Sequence, residues 1–375
     1  MTLINSIIHS NTALVAGGMY NLNVSPAVSN VTFSENSASN GGSVYNYASE
    51  DRESSPTLTN VTFSGNSANS NGGAIHNYAY RGVSNPILSN VSFSGNSAGV
   101  RGGAIYNLIE VFDGEGNLIL TNVTFSGNSA GDEGGAMYNI GAFNGKSNTE
   151  VCNSILWDNQ ANGITGTITA TIFNANATIT LNHSLVEGSG GSGAGWIGGD
   201  YIDGSGNIDA DPLFIDPISP TFAPTTTGDL RLGEGSPAID AGLNLYTENT
   251  GFQTDLDGAA RFKDGDGDGS ATVDMGAYEA DGYYQLSVVK SGAGGGTATS
   301  SPAGIDCGDL CMEILPEGSQ KILEAMPDEG SIFSGWSGDC SGDGDCQVTM
   351  DGDKSVTAAF DLEPAFEINL PLVNR

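Results

Sequence analysis

Basic residues are scarce in this chain: 11 Lys and Arg stand against 44 Asp and Glu over 375 residues, a formal net charge of −33. That balance removes the attraction to phosphate on which nucleic-acid binding depends, and it repels anionic membrane surfaces. No apolar run approaches the roughly 20 residues of a membrane-spanning helix, so no transmembrane segment is predicted. No stretch carries a sustained helical period either. The three histidines, His9, His76 and His183, have no Ser or Cys nucleophile phrase beside them. No signal peptide opens the chain, because its first residues already read as a repeat, and the N-terminus is expected to be truncated relative to the exported form.

What is abundant is glycine, 55 residues of it, together with Asn, Ser and Thr, the composition of a turn-rich β protein. The stretch LTNVTFSGNSANSNGGAIHN at 58–77 recurs at 88–107 and 120–139, with weaker copies at 30–46 and near the start. Repetition at about thirty residues marks a solenoid. Aligned on the Asn before each strand, the copies place Asn5, Asn30, Asn60, Asn90, Asn122, Asn153 and Asn182 in one column, seven rungs in all. Three residues on come Ile8, Phe33, Phe63, Phe93, Phe125, Leu156 and Leu185, which stack if each repeat is one coil spaced about 4.8 Å from the next.

A second polar column runs Asn11, Asn36, Asn66, Asn96, Asn128 and Asn159, and a third Asn21, Asn46, Asn77, Asn107 and Asn139. Asparagine tolerates left-handed backbone, and its amide can bond the Asn above and below, so these are expected to be ladders. The Asn-x-Ser/Thr triplets at Asn30, Asn60, Asn90 and Asn122 also read as glycosylation acceptors, but their recurrence at a coil corner favours the ladder. Glycine pairs beginning at Gly17, Gly41, Gly72, Gly102 and Gly134 supply corners without a Cβ. Tyr45, His76, Tyr106 and Tyr138 form an aromatic column, a packing stack or, facing outward, a platform for sugars. Length varies only after the third Asn, on the face where solenoids often bind.

The paired motifs F-x-x-N and G-G-A-I resemble the repeats of polymorphic outer-membrane proteins and related autotransporter passengers. The resemblance implies an all-β, right-handed parallel β-helix at a cell surface, and adhesion as a role. No membrane β-barrel sequence follows the repeats.

Four segments are expected: β-helix repeats over 1–195, an acidic capping region over 196–282, a small β domain over 283–362, and an apolar tail over 363–375. The phrases DADPLFIDP, GDLRLGEGSPAIDAG and VDMGAYE resemble the choice-of-anchor Q type region of secreted β-helix proteins, which implies a cap leading to a surface attachment. Within it, Asp264, Asp266 and Asp268 alternate with glycine as in the first half of a calcium loop. Asp274 is a fourth candidate ligand, although the twelfth position is Met275 and no flanking helices are predicted. Calcium is therefore the one cofactor considered.

The last segment predicts four or five strands, and its S-P-A-G-I-x-C, G-W-S-G and K-S-V-T-A-x-F phrases resemble the divergent internalin B-repeat, an extracellular spacer. Cys307, Cys311, Cys340 and Cys346 make C-x3-C and C-x5-C spacings without a histidine nearby, which favours two short-loop disulfides over zinc and an oxidising compartment. Trp336 is expected in the core of this domain.

An enzyme would need paired carboxylates, or calcium with a basic side chain, gathered on one face. The repeats offer only scattered singletons, Asp51, Arg52, Glu53, Arg81, Asp113 and Glu115 among them, while Arg101 and the pair Asp132 and Glu133 fit a cross-rung ion pair. The expectation is thus a monomeric, extracellular or surface-displayed non-enzymatic β-helix that binds a glycan or protein. The alternatives are a β-helix polysaccharide lyase or hydrolase, and a calcium-stabilised rod.

Overall fold

The computed structural model describes residues 1–110, 115–143, 145–308 and 311–364, so most of the expected tail at 363–375 lies outside the described residues. The chain forms two compact units: Met1–Gly265 with Ala271–Ala280, and Asp266–Ser270 with the segment from Asp281 onward.

The first unit is a right-handed parallel β-helix. Its longest sheet stacks Thr2–His9, Ala27–Ser34, Thr57–Ser64, Ile87–Ser94, Glu115–Ser126, Lys146–Cys152, Thr178–Asn182 and Ile202–Ser205 in sequence order. A second sheet of short strands begins with Ser37–Asn40 and Ser67–Asn71, and a third with Met19–Leu22, Val44–Ser49 and Ile75–Tyr80. The first six rungs turn sharply within the first sheet because Asn5, Asn30, Asn60, Asn90, Asn122 and Asn153 hold φ between 47° and 56°. The Phe column forms as predicted: Phe33, Phe63, Phe93 and Phe125 are fully buried, with centroids 4.7–5.0 Å apart and rings within 4° of parallel.

The buried Asn36, Asn66, Asn96, Asn128 and Asn159 form a ladder in which each side chain serves two coils. Asn96 Nδ2 donates to Asn128 Oδ1 at 2.9 Å and to the carbonyl of Phe63 at 3.0 Å. The third column forms two ladder runs, Asn21 to Asn46 to Asn77 at 2.7 Å each and Asn107 to Asn139 to Asn174 at 2.8 and 3.1 Å, with Asn107 Oδ1 buried and unpaired between them. Apolar faces and amide columns therefore alternate around the coil, and the amides bond one another instead of water.

Two alignments need correction. In the seventh rung Asn182 lies opposite Cys152, and His183 takes the left-handed corner with φ 42°. Val186, not Leu185, consequently continues the inner column beneath Leu156. In the first rung the second corner falls on Ala16, φ 53°, one residue before Gly17.

The acidic middle does two things. Residues near 196–208 continue the solenoid: Tyr201 and Trp196 pack on the core, and the Tyr201 hydroxyl donates to the Ile172 carbonyl at 2.6 Å. Residues 213–265 and 271–280 instead run along the outside of the first sheet, where Phe214, Ile218, Leu230, Leu232, Ala238 and Met275 bury Ile155 and Leu185. That explains the displaced Leu185. The outward column reads Thr32, Thr62, Ser92, Thr124, Ile155, Leu185: the covered Ser92 and Thr124 are still hydroxyls, Thr124 Oγ1 accepting the Ala277 N–H at 2.9 Å, and the column turns apolar at Ile155.

Among the described residues the second unit carries seven strands rather than four or five, in sheets of four and three. Tyr283–Ser291 and Lys354–Leu362 pair in parallel at the middle of the larger sheet. The disulfides are Cys307–Cys311 and Cys340–Cys346, as the spacing implied. Trp336 is in the core, its Nε1 donating to the Gly344 carbonyl at 2.9 Å.

Candidate functional site

Alternation along the third sheet sends Val44, Asn46 and Ala48 inward and Tyr45, Tyr47 and Ser49 outward. Since rungs stack in register, outward aromatics accumulate into columns. Tyr20, Tyr45, His76, Tyr106, Tyr138 and Phe173 follow one another with centroids 4.5–5.5 Å apart. The column does face away from the core, but its rings spend their faces on each other: His76, Tyr106 and Tyr138 are each at most 8% exposed, against 48% for the terminal Tyr20. Burial lowers the His76 pKa to about 3, leaving it neutral, and raises those of Tyr45 and Tyr106 to about 12.

Beside this stack lies a more open column. Tyr47 stacks on Tyr78 at 5.2 Å, Tyr80 sits 6.4 Å from Tyr78, and the Tyr78 hydroxyl donates to the Glu110 carboxylate. Leu22 and Leu108 extend it in register. Half-buried tyrosines make an amphipathic contact surface. At its rim, Arg101 binds Glu133 at 3.0 Å and Asp132 at 3.4 Å and lies over the Tyr138 ring at 5.1 Å, the cross-rung pair expected from the sequence.

The variable loops leave from this sheet, yet they rejoin the stack. The backbone N–H of Ser55 donates to Ser25 Oγ, that of Asn85 to Ser55 Oγ, and that of Asn117 to Asn85 Oδ1, each at 2.8–2.9 Å. This ladder was missed at the sequence level. Its signal is the dipeptide Ser-Pro or Asn-Pro at Pro26, Pro56 and Pro86, just ahead of each strand.

The flank of the first sheet holds a buried ion pair. Arg261 is fully buried, donating to Asn90 Oδ1 at 2.9 Å, to the Gly276 carbonyl at 2.8 Å and to the Glu279 carboxylate. Thr247 hydrogen-bonds the Asn122 amide, and Asn153 bonds Leu243 through both its amide nitrogen and oxygen. The Asn ladder thus continues into the middle segment. Burial and the neighbouring Asp274 push Glu279 well above the usual carboxylate range, while burial raises Asp274 to about 6 against the pull of the Ala280 and Asp240 N–H groups.

Asp264 belongs to the first unit, and Asp266 and Asp268 to the second, where Asp266 Oδ1 accepts from the Asp268 N–H at 3.0 Å and Asp268 Oδ1 from Ser270 at 2.8 Å. Both oxygens of Asp274 accept backbone N–H groups, at 2.7 and 2.6 Å. Cys152 is a buried free thiol, pushed up to about 12 by burial and by Glu150.

Four stretches, 30–47, 60–78, 90–108 and 122–139, match the Chlamydia polymorphic membrane protein repeat, and residues 285–364 match the divergent InlB B-repeat domain. Neither model covers 196–282. No curated protein and no solved structure matches the chain. The repeats and the solenoid fit a surface or outer-membrane repeat protein. Among the described residues no helix is long and apolar enough to cross a membrane.

Proposed function

We propose that the chain is a surface-displayed, non-enzymatic β-helix with an adhesive role, and that the outward face of its third sheet contacts an extracellular glycan or protein. The observation that carries this is the column Leu22, Tyr47, Tyr78, Leu108 with Tyr80 beside it, half-exposed on a rigid scaffold. Tyrosine supplies large contact area at small entropic cost, and contiguous exposed apolar surface on a folded protein marks an interaction site. In this reading residues 213–265 and 271–280 bind the helix flank and lead towards an attachment device, and the second unit is a spacer.

The test is binding to immobilised extracellular glycans and matrix proteins. The Tyr47→Ser/Tyr78→Ser variant should lose at least tenfold in affinity for whichever probe the parent retains, while unfolding at nearly the same temperature. Equal binding by parent and variant would refute the assignment of this face. Sustained release of reducing or unsaturated ends from polysaccharides would favour the lyase or hydrolase instead.

The calcium role of Asp264, Asp266, Asp268 and Asp274 belongs to the same proposal. Calcium is expected to raise the thermal midpoint above that measured with chelator, and coincident curves would remove the metal.

A further inference from the structure

The segment 218–231 crosses the first sheet as a strap, and beneath it lies a polar cleft of about 440 Å³. The sequence provides for the crossing. At the corner three residues after the outward column, successive rungs carry Ser10, Glu35, Gly65, Gly95, Gly127 and Asp158, all left-handed. Glycine occupies the three corners under the strap, Gly65, Gly95 and Gly127, and recurs at this corner in the seventh rung as Gly188. A Cβ on Gly95 would lie 2.4 Å from the Thr225 carbonyl oxygen, one on Gly65 2.8 Å from Thr226, and one on Gly127 2.3 Å from Ile218. The Thr225 N–H closes the contact by donating to the Gly95 carbonyl at 2.9 Å.

One wall of the cleft is an in-register block of hydroxyls, Thr62 beside Ser92 and Ser64 beside Ser94. The other presents Asp229, Arg231, Asp257 and Tyr278. Arg231 grips Asp229 through Nε at 3.0 and 3.1 Å and through a second nitrogen, which holds that carboxyl below its ordinary range. Burial and the nearby Asp255 raise Asp257. Burial raises the Tyr278 phenol to about 12.

We infer that this cleft binds a short neutral oligosaccharide, at a place separate from the aromatic face. Its volume falls within the range of ligand sites, about 300–1,000 Å³. Its lining offers donors and acceptors in close succession, which suits a polyhydroxylated ligand and not an apolar one. The carboxylates and the chain's net charge of −33 oppose acidic polysaccharides. The arginine against Asp229 opposes a metal ion. Rigid Gly corners and the strap preform the site, so little ordering is left to be paid on binding.

Calorimetric titration of the full chain with a panel of neutral oligosaccharides tests this. Binding of at least one member is expected, and Asp257→Asn and the double variant Thr62→Val/Ser64→Val should each weaken it tenfold or more. The second variant alters only partly exposed hydroxyls and should unfold at the parental temperature, so its loss of affinity cannot be charged to misfolding. Tyr47→Ser/Tyr78→Ser should bind these sugars as the parent does. Failure of every neutral oligosaccharide to bind, retention of binding by both cleft variants, or loss in the tyrosine variant alone would overturn the inference.

Discussion

Replacing Arg261 with leucine is expected to destabilise the first unit by about 3–5 kcal/mol, measured by denaturant unfolding, because it strands Glu279 without its counter-ion. The guanidinium is the hinge of a fully buried network: it joins Asn90 of the ladder, the Gly276 carbonyl and the Glu279 carboxylate, and Glu279 in turn accepts the Asp274 N–H at 3.2 Å. Removing one partner of a buried pair costs far more than the pair contributes, since the other charge has no water to turn to. Adding Glu279→Gln to Arg261→Leu should therefore restore part of the loss, because the uncompensated charge disappears. A double variant no more stable than the single one would show that the ion pair does not dominate this network. Asn90 sits in the repeat and Arg261 lies 171 residues further on, so this variant also reports whether the middle segment and the solenoid unfold together.

The second large effect is expected in the aromatic spine. Phe93→Ala should cost about 3–5 kcal/mol, the range for emptying a well-packed site. Phe93 has Phe63 above at 4.9 Å and Phe125 below at 4.7 Å, so neither neighbour can fill the space without breaking its own stack. A phenylalanine-sized cavity enclosed by two rings has little means of collapse. Phe93→Leu, which keeps most of the volume, should cost less than half as much. Equal losses for the two substitutions would show that filling the spine is not what matters.

Much of this architecture was legible because a solenoid repeats its instructions. Phe33, Phe63, Phe93 and Phe125, three Asn columns, the Gly corners and the Arg101–Glu133 pair follow from aligning one repeat on the next. The alignment failed where the repeats decay. Asn182 looks like the corner residue, but His183 holds it, and a single-residue slip moves Leu185 from the inner column to the outer face. The reason is physical: side chains alternate between faces, so register cannot be read from one Asn once flanking positions cease to repeat. The middle segment was opaque for another reason. Its partners are 90–171 residues away, and nothing local to Arg261 or Thr247 announces the Asn amides they meet. A hint was present in the repeat, where Thr32, Thr62, Ser92 and Thr124 give way to Ile155 and Leu185, and where glycine replaces Glu35 at three corners. The cleft beneath the strap was invisible until both walls were placed, since Ser64 and Arg231 share no local pattern.

The glycine corners bear on how such a chain can change length. Tandem copies are ordinarily gained and lost by unequal recombination, and a coil inserted anywhere in a free stack is tolerated. Here Gly65, Gly95 and Gly127 are measured against one crossing segment, and Asn90, Asn122 and Asn153 against another, so the levels between them are counted. Deleting the thirty residues that carry Gly95 would set Gly65 beside Gly127 and leave the crossing segment one level too long. Copy number is therefore locked in the middle of the array, and variation in the number of coils is confined to the levels ahead of Gly65.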